Sequence, residues 1–231
     1  MDNKKLIILF ITFTIIICSV IIGSNYIYKP IIHQDDLGIY VDNHYQIDGQ
    51  LIKYQDLQNI LAKTELKHYI DSRSKIICLD STYRIPKLET KRPEFSGLKD
   101  LLYGYDNIFR WKQNAFDCDK HSRVFKSYVT LSTIGFEEVE YALTVGMLNF
   151  YYKEDDEKHG HSLNIVVYLD GGDFKVKILE PQWLTSEFIR TYVNSFDSIK
   201  ERINKIFEYS TIDIKEYFED FDNVEVGMIL F

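Results

Sequence analysis

Hydrophobic positions follow three different spacings along the chain. Residues 6–23, LIILFITFTIIICSVIIG, form an eighteen-residue run without a charge, roughly 27 Å long as a helix and close to the thickness of a bilayer's hydrocarbon. Lys4 and Lys5 precede the run, and Lys29, Asp35 and Asp36 follow it. The positive-inside rule then predicts a single-pass anchor over 1–24, with a cytoplasmic N-terminus and an extracytoplasmic C-terminal domain. A cleaved signal peptide is the competing reading, against which stand the length of the run and the lack of an A-x-A-like site. Residues 25–50 are polar and dotted with aromatics, without a period, and read as a stalk or linker. No internal repeat or Gly/Ser linker divides 51–231, which reads as one domain.

Within that domain helical spacing appears three times. Leu57, Ile60, Leu61 and Leu66 predict a helix over 54–72. Val124, Phe125, Tyr128 and Leu131 form a second stripe, preceded by Asp117 as N-cap, so that Cys118 opens the helix. Ile189, Tyr192, Val193, Phe196, Ile199 and Ile203 predict one amphipathic helix over 188–207. Period-two spacing marks 161–169 and 174–180, joined by a turn at Asp170-Gly171. With a two-residue loop there, Leu169 pairs with Gly172 and His161 falls directly opposite Glu180, on the face shared with Leu163, Ile165, Val176 and Ile178. Shorter features are a strand at 75–79, a loop between Pro86 and Pro93, a helical turn at 98–103, a charged loop at 153–159 and a final strand at 224–231. The predicted class is α+β, with a Cys-bearing helix packed on an antiparallel sheet; the order of Cys118, His161 and Glu180 on these elements resembles that of papain-like and transglutaminase-like thiol enzymes.

Composition narrows the function classes. The apolar share is 45% and the aromatic share 15%, enough to bury a core. A formal charge of −8 argues against a nucleic-acid binder, which needs a basic footprint to neutralise phosphates. Three cysteines are too few for a disulfide-built scaffold or a four-Cys zinc site.

The remaining chemistry converges on one thiol. A cysteine at a helix start has its thiolate stabilised by unpaired N–H groups and the positive end of the dipole. A thiol nucleophile needs a base, and the base needs a group to fix its tautomer. Cys118, His161 and Glu180 supply those roles in Cys, His, acid order, for attack on an amide carbonyl. Gln113 and Asn114 are candidate oxyanion donors beside the Cys118 N–H. Trp111, Trp183 and Asn164 are pocket candidates.

The words FDCDKHS, GHSLNIVV and ILEPQ resemble the papain-like domain at the C-terminal end of Marasmius oreades-type agglutinin and its bacterial and phage relatives, whose pattern runs C-[DE]-x-[FH]-[AS], G-H-[AS]-x-N, E-P-Q. The matching residues are Cys118, Asp119, His161, Asn164, Glu180 and Gln182, with Asp80 and Tyr83 as an upstream Asp-x-x-Tyr. The resemblance covers about residues 75–185. His121 stands where an aromatic residue is usual. The resemblance implies a cysteine protease-like fold with a Cys118–His161–Glu180 triad; joined to the anchor read from residues 6–23, the expectation is a membrane-anchored hydrolase acting on a peptide or isopeptide bond of a peptide or protein substrate. The residues call for no cofactor and no metal; calcium enters only through the resemblance, and Asp155, Asp156 and Glu157 are the one loose acidic grouping. Two other readings stay open: a non-catalytic surface-bound ligand-binding module on the same fold, and a peptidoglycan-directed amidase. A disulfide between Cys78 and Cys118 is the structural alternative for the thiol.

Overall fold

The computed structural model describes residues 32–35, 38–41, 45–105, 117–133, 141–184 and 187–231. The chain begins with a small hairpin of β1 (Ile32–Asp35) and β2 (Gly38–Val41), then β3 (Gly49–Lys53), α1 (Tyr54–Leu61), a 3-10 turn (Glu65–His68), β4 (Lys75–Ile77) and β5 (Thr82–Pro86). Next come α2 (Leu98–Gly104), α3 (Cys118–Thr133), β6 (Ala142–Leu143), β7 (Val145–Glu154), β8 (Glu157–Asp170) and β9 (Asp173–Leu179). The C-terminal part holds α4 (Pro181–Leu184), α5 (Glu187–Asn194), α6 (Ile199–Ser210), β10 (Thr211–Ile212), α7 (Ile214–Glu219) and β11 (Asp222–Leu230). The architecture is α+β.

The main sheet has the order β10-β9-β8-β7-β11-β4, antiparallel except where β11 runs parallel to β4. Its two faces carry two cores. One is packed under α3 and α6, with Phe125, Tyr128 and Val129 meeting Val166, Tyr168 and Leu179. The other joins Leu163, Ile165, Val167 and Ile178 to Leu57, Leu61, Leu148, Phe150 and Phe218. A sheet covered on both faces needs long, nearly unbroken apolar strands, and β7 and β8 are built that way.

The β8–β9 register differs from the sequence expectation by two residues. Asp170 pairs with Asp173 and Asn164 with Leu179, so the two-residue loop is Gly171-Gly172 rather than Asp170-Gly171. Both glycines have positive φ, +60° and +98°, and that left-handed pair is the turn that matches strand twist. Two residues is one full pleat, so every side chain keeps its predicted face while its partner changes.

Other boundaries also moved. Residues 54–72 divide into α1 and the 3-10 turn. The single helix expected over 188–207 is two, because Ser198 starts α6 with a capping box, accepting from the Glu201 N–H while Glu201 Oε2 accepts from the Ser198 N–H. The charged loop at 153–159 is a tight hairpin end, with Asp155 and Asp156 as left-handed turn residues at φ +50° and +63°. His159 therefore lies in β8 and stacks on Tyr152, ring centroids 5.5 Å apart. The packed body starts before residue 51: Tyr45 and Ile47 are buried, and the Tyr45 N–H donates to the Ser132 carbonyl. Among the described residues no helix is long and apolar enough to cross a membrane; the predicted anchor, 6–23, lies outside them.

Candidate active site

Cys118 is the first residue of α3, and the Asp117 carbonyl closes the opening turn by accepting from the Lys120 and His121 N–H groups at 3.1 and 3.0 Å. The predicted cap position holds, but the Asp117 carboxylate is used differently, accepting from Lys120 Nζ at 2.8 Å. The helix is fastened to the sheet from its first turn: Ser122 Oγ donates to the Leu163 carbonyl at 2.9 Å. This puts the start of α3 beside the segment of β8 that carries His161.

Glu180 sits where β9 ends and α4 begins. Its carboxylate is 5% exposed and accepts from His161 Nε2 at 3.1 Å and from the Gln182 N–H at 3.3 Å. Pro181, with no N–H to satisfy, opens the short helix. Glu180 thus serves as cap and as imidazole partner together, which leaves its side chain little freedom. The Tyr217 hydroxyl on α7 lies near the Glu180 carboxylate as well, close enough for that charge to oppose its ionisation.

With Nε2 engaged by Glu180, Nδ1 is the His161 nitrogen left for a thiol, and Cys118 and His161 lie close enough for each to shift the other's protonation. Their protonation is mutually determined. Burial opposes charge on both groups, yet the pairing outweighs it. The hydrogen bond and charge of His161 hold the Cys118 thiol below its ordinary range, and the Ser162 N–H adds to this. On His161, Cys118 and Glu180 together push the imidazole up to about 9. The pairing therefore favours thiolate on Cys118 and imidazolium on His161, backed by the Glu180 carboxylate. Phe150 meets the His161 ring edge-on at 5.6 Å, and Tyr152 and Tyr217 resist ionisation through burial first, then the carboxylates of Glu154 and Glu180 respectively, with Cys118 adding to both. His121, one turn along α3, is buried and kept neutral by that burial, although Glu180 and Asp117 pull the other way.

The remaining sequence candidates divide. Trp183, 40% exposed, lines a cleft of about 770 Å³ whose wall includes His161, Glu180, Gln182 and Tyr217. Asn164 does not reach this cleft. It is fully buried, and its amide donates to the Ser122 and Gly146 carbonyls at 3.2 and 3.1 Å, tying α3 to β7 and β8. Strand alternation explains this correction, since Asn164 lies an odd number of residues from His161 and so faces the opposite side. Trp111, Gln113 and Asn114 lie outside the described residues. Cys78 and Cys118 are both unbridged thiols, which removes the disulfide alternative. Tyr217 and Phe150 were missed by the sequence reading. No motif marks them, and the first half of β7 is apolar on both faces, so no alternation singles out Phe150. Asp155, Asp156 and Glu157 form the β7–β8 turn and the start of β8, and among the described residues no group of three metal-ligating side chains converges.

No family model matches the sequence, and no curated protein matches it. Among solved structures the chain is similar to one titled "PSL1a-E64 complex", at 16% identity and a TM-score of 0.47, over 78% of this chain and 51% of that one. It is also similar to Polyporus squamosus lectin bound to the human-type influenza-binding epitope Neu5Aca2-6Galb1-4GlcNAc, at 14% identity and a TM-score of 0.41, over 87% of this chain and 67% of that one. The chain spans about half the length of the first of these structures.

Proposed function

We propose that the protein is a papain-like thiol hydrolase acting on amide bonds, with Cys118 as nucleophile, His161 as acid and base, and Glu180 as orienter. The observation that carries this reading is the 3.1 Å His161–Glu180 hydrogen bond with the Cys118 thiol close enough to be shifted by His161, the three brought together from a helix start, a strand and the end of the next strand. The Cys118 thiolate attacks the carbonyl carbon, and the developing oxyanion lies at the N-terminus of α3, where free N–H groups favour negative charge. The His161 imidazolium gives its proton to the leaving amine, so the C–N bond breaks and a thioester remains. Water then loses a proton to His161 and attacks the thioester, releasing the acid and restoring the ion pair. Glu180 keeps the Nε2 proton in place throughout.

The test follows from protonation. Iodoacetamide reacts with thiolates, so Cys118 is alkylated at neutral pH well ahead of Cys78, whose thiol is pushed up by burial. Alkylation of Cys118 falls as pH drops and the thiolate takes up a proton, at lower pH than that of Cys78. Amide hydrolysis falls with falling pH for the same reason, and falls again as pH rises through about 9, where His161 loses the proton it must donate. Peptide mapping of the labelled chain across pH checks this; equal labelling of the two cysteines sinks the hydrolase reading.

A second reading is a ligand-binding module without chemistry. It is favoured by the cleft beside the triad, where Trp183 is exposed. Binding that persists unchanged in Cys118→Ala, with no turnover by the intact chain, is its signature. In either case we propose that residues 6–23 tether the domain to a membrane. Expression with and without residues 1–24, followed by carbonate extraction of membranes, tests it: only the longer chain stays in the pellet.

A further inference from the structure

The cleft beside the triad has a chemical character of its own. His161 and Glu180 are part of its wall, which places the cleft beside two of the three triad side chains. Along the rest of the wall stand aromatic faces and carboxylates: Trp183 and Tyr209, 40% and 39% exposed, with Glu208, Glu216 and Asp220. Glu208 is already paired with Lys205 at 2.5 Å, and the one lysine of the wall, Lys177, faces Asp213 at 3.5 Å. That leaves Glu216 and Asp220, both exposed, as carboxylates without an ion pair among the described residues. The other large hollows differ. One is lined by Lys87, Lys91, Arg92 and Lys99, and neither it nor the groove along β3 and α1 touches His161 or Glu180.

We propose that this cleft is a specificity subsite for a positively charged, extended side chain of the substrate, lysine or arginine, adjoining the bond presented to Cys118. Such a side chain has an apolar stem and a cationic head. Rings of Trp183 and Tyr209 receive the stem and attract the cation through their faces, while Glu216 and Asp220 supply the opposite charge in a concave site where it acts with less screening than on open surface. An acidic side chain meets repulsion from the same pair. The proposal rests on the hydrolase reading only for its orientation relative to Cys118; the charge preference is a property of the cleft.

Two alanine-rich capped peptides differing only in one lysine or one glutamate provide the test, titrated calorimetrically against the Cys118→Ala chain and given as substrates to the intact chain. The expected result is about tenfold tighter binding of the lysine peptide, weakening with salt, and the same preference in kcat/KM. Glu216→Lys combined with Asp220→Lys changes two exposed positions and inverts the ratio toward the glutamate peptide. Equal binding of the two peptides, binding of neither, or a lysine preference that survives the charge reversal overturns the subsite. Failure of the hydrolase reading is separate: it shows as undiscriminating alkylation of Cys118 and absent turnover, while the calorimetric preference and its inversion stand.

Discussion

His161→Ala lowers amide hydrolysis by about a thousandfold or more and returns Cys118 to the reactivity of an ordinary partly buried thiol. The magnitude follows from what one side chain does here. It holds the thiolate ionised, donates the proton to the leaving amine and accepts one from water, and a positioned acid–base group alone is worth roughly 10²–10⁴ in rate. Losing ion pairing as well shifts the alkylation profile of Cys118 upward toward the normal cysteine range, because burial, which opposes ionisation, is then no longer offset. The two effects are read on the same sample, as kcat for a peptide and as the pH midpoint of iodoacetamide labelling. The His161 side chain is 22% exposed, so alanine leaves a hollow partly open to solvent, and a matching unfolding curve separates lost chemistry from lost structure. Hydrolysis retained within tenfold removes His161 from the mechanism.

The largest expected effect on stability belongs to Phe150→Ala, which destabilises the domain by about 3–5 kcal/mol, measured as the shift of the urea unfolding midpoint at constant slope. Phe150 is 1% exposed in β7. Its ring meets Phe218 at 5.0 Å, Phe221 at 5.5 Å, His161 at 5.6 Å and Tyr217 at 6.1 Å, all edge-on. Alanine removes the common partner of all four, and the surrounding strands and α7 are too constrained to collapse into the space. Such a loss is a large part of the roughly 5–15 kcal/mol that holds a typical domain. The same change loosens the wall behind His161, so the variant loses kcat beyond what its folded fraction explains. Phe150→Leu keeps most of the volume and recovers most of the stability. A cost below about 1 kcal/mol contradicts this account of the core.

How far the site was legible follows from periodicity. His161 and Glu180 were placed on one face of a hairpin by strand alternation, and that survived the wrong turn assignment because the error was one whole pleat. Choosing Gly171-Gly172 over Asp170-Gly171 requires knowing which pair takes positive φ, and both dipeptides are good turn formers. The start of α3 at Cys118 was readable because the helical stripe and Asp117 agree. By contrast, β7 was missed: VGMLNFYYKE is apolar on both faces in its first half, which removes the alternation that identifies a strand. Asn164 was misplaced by attending to its motif instead of its parity. Tyr217 reaches Glu180 from a six-residue helix that packs back through tertiary contacts, and no local spacing announces such an approach.

The main sheet is threaded out of chain order. Its slot between β7 and β4 is filled by β11, residues 222–230, although β4 lies near residue 76 and β7 near 150. A ribosome therefore delivers the two flanking strands long before the one that bridges them. Until that strand arrives, one side of β7 is an open edge of unpaired amides and carbonyls, a template for pairing with another chain. Pairing of β11 closes that edge and completes the sheet from which β8 presents His161.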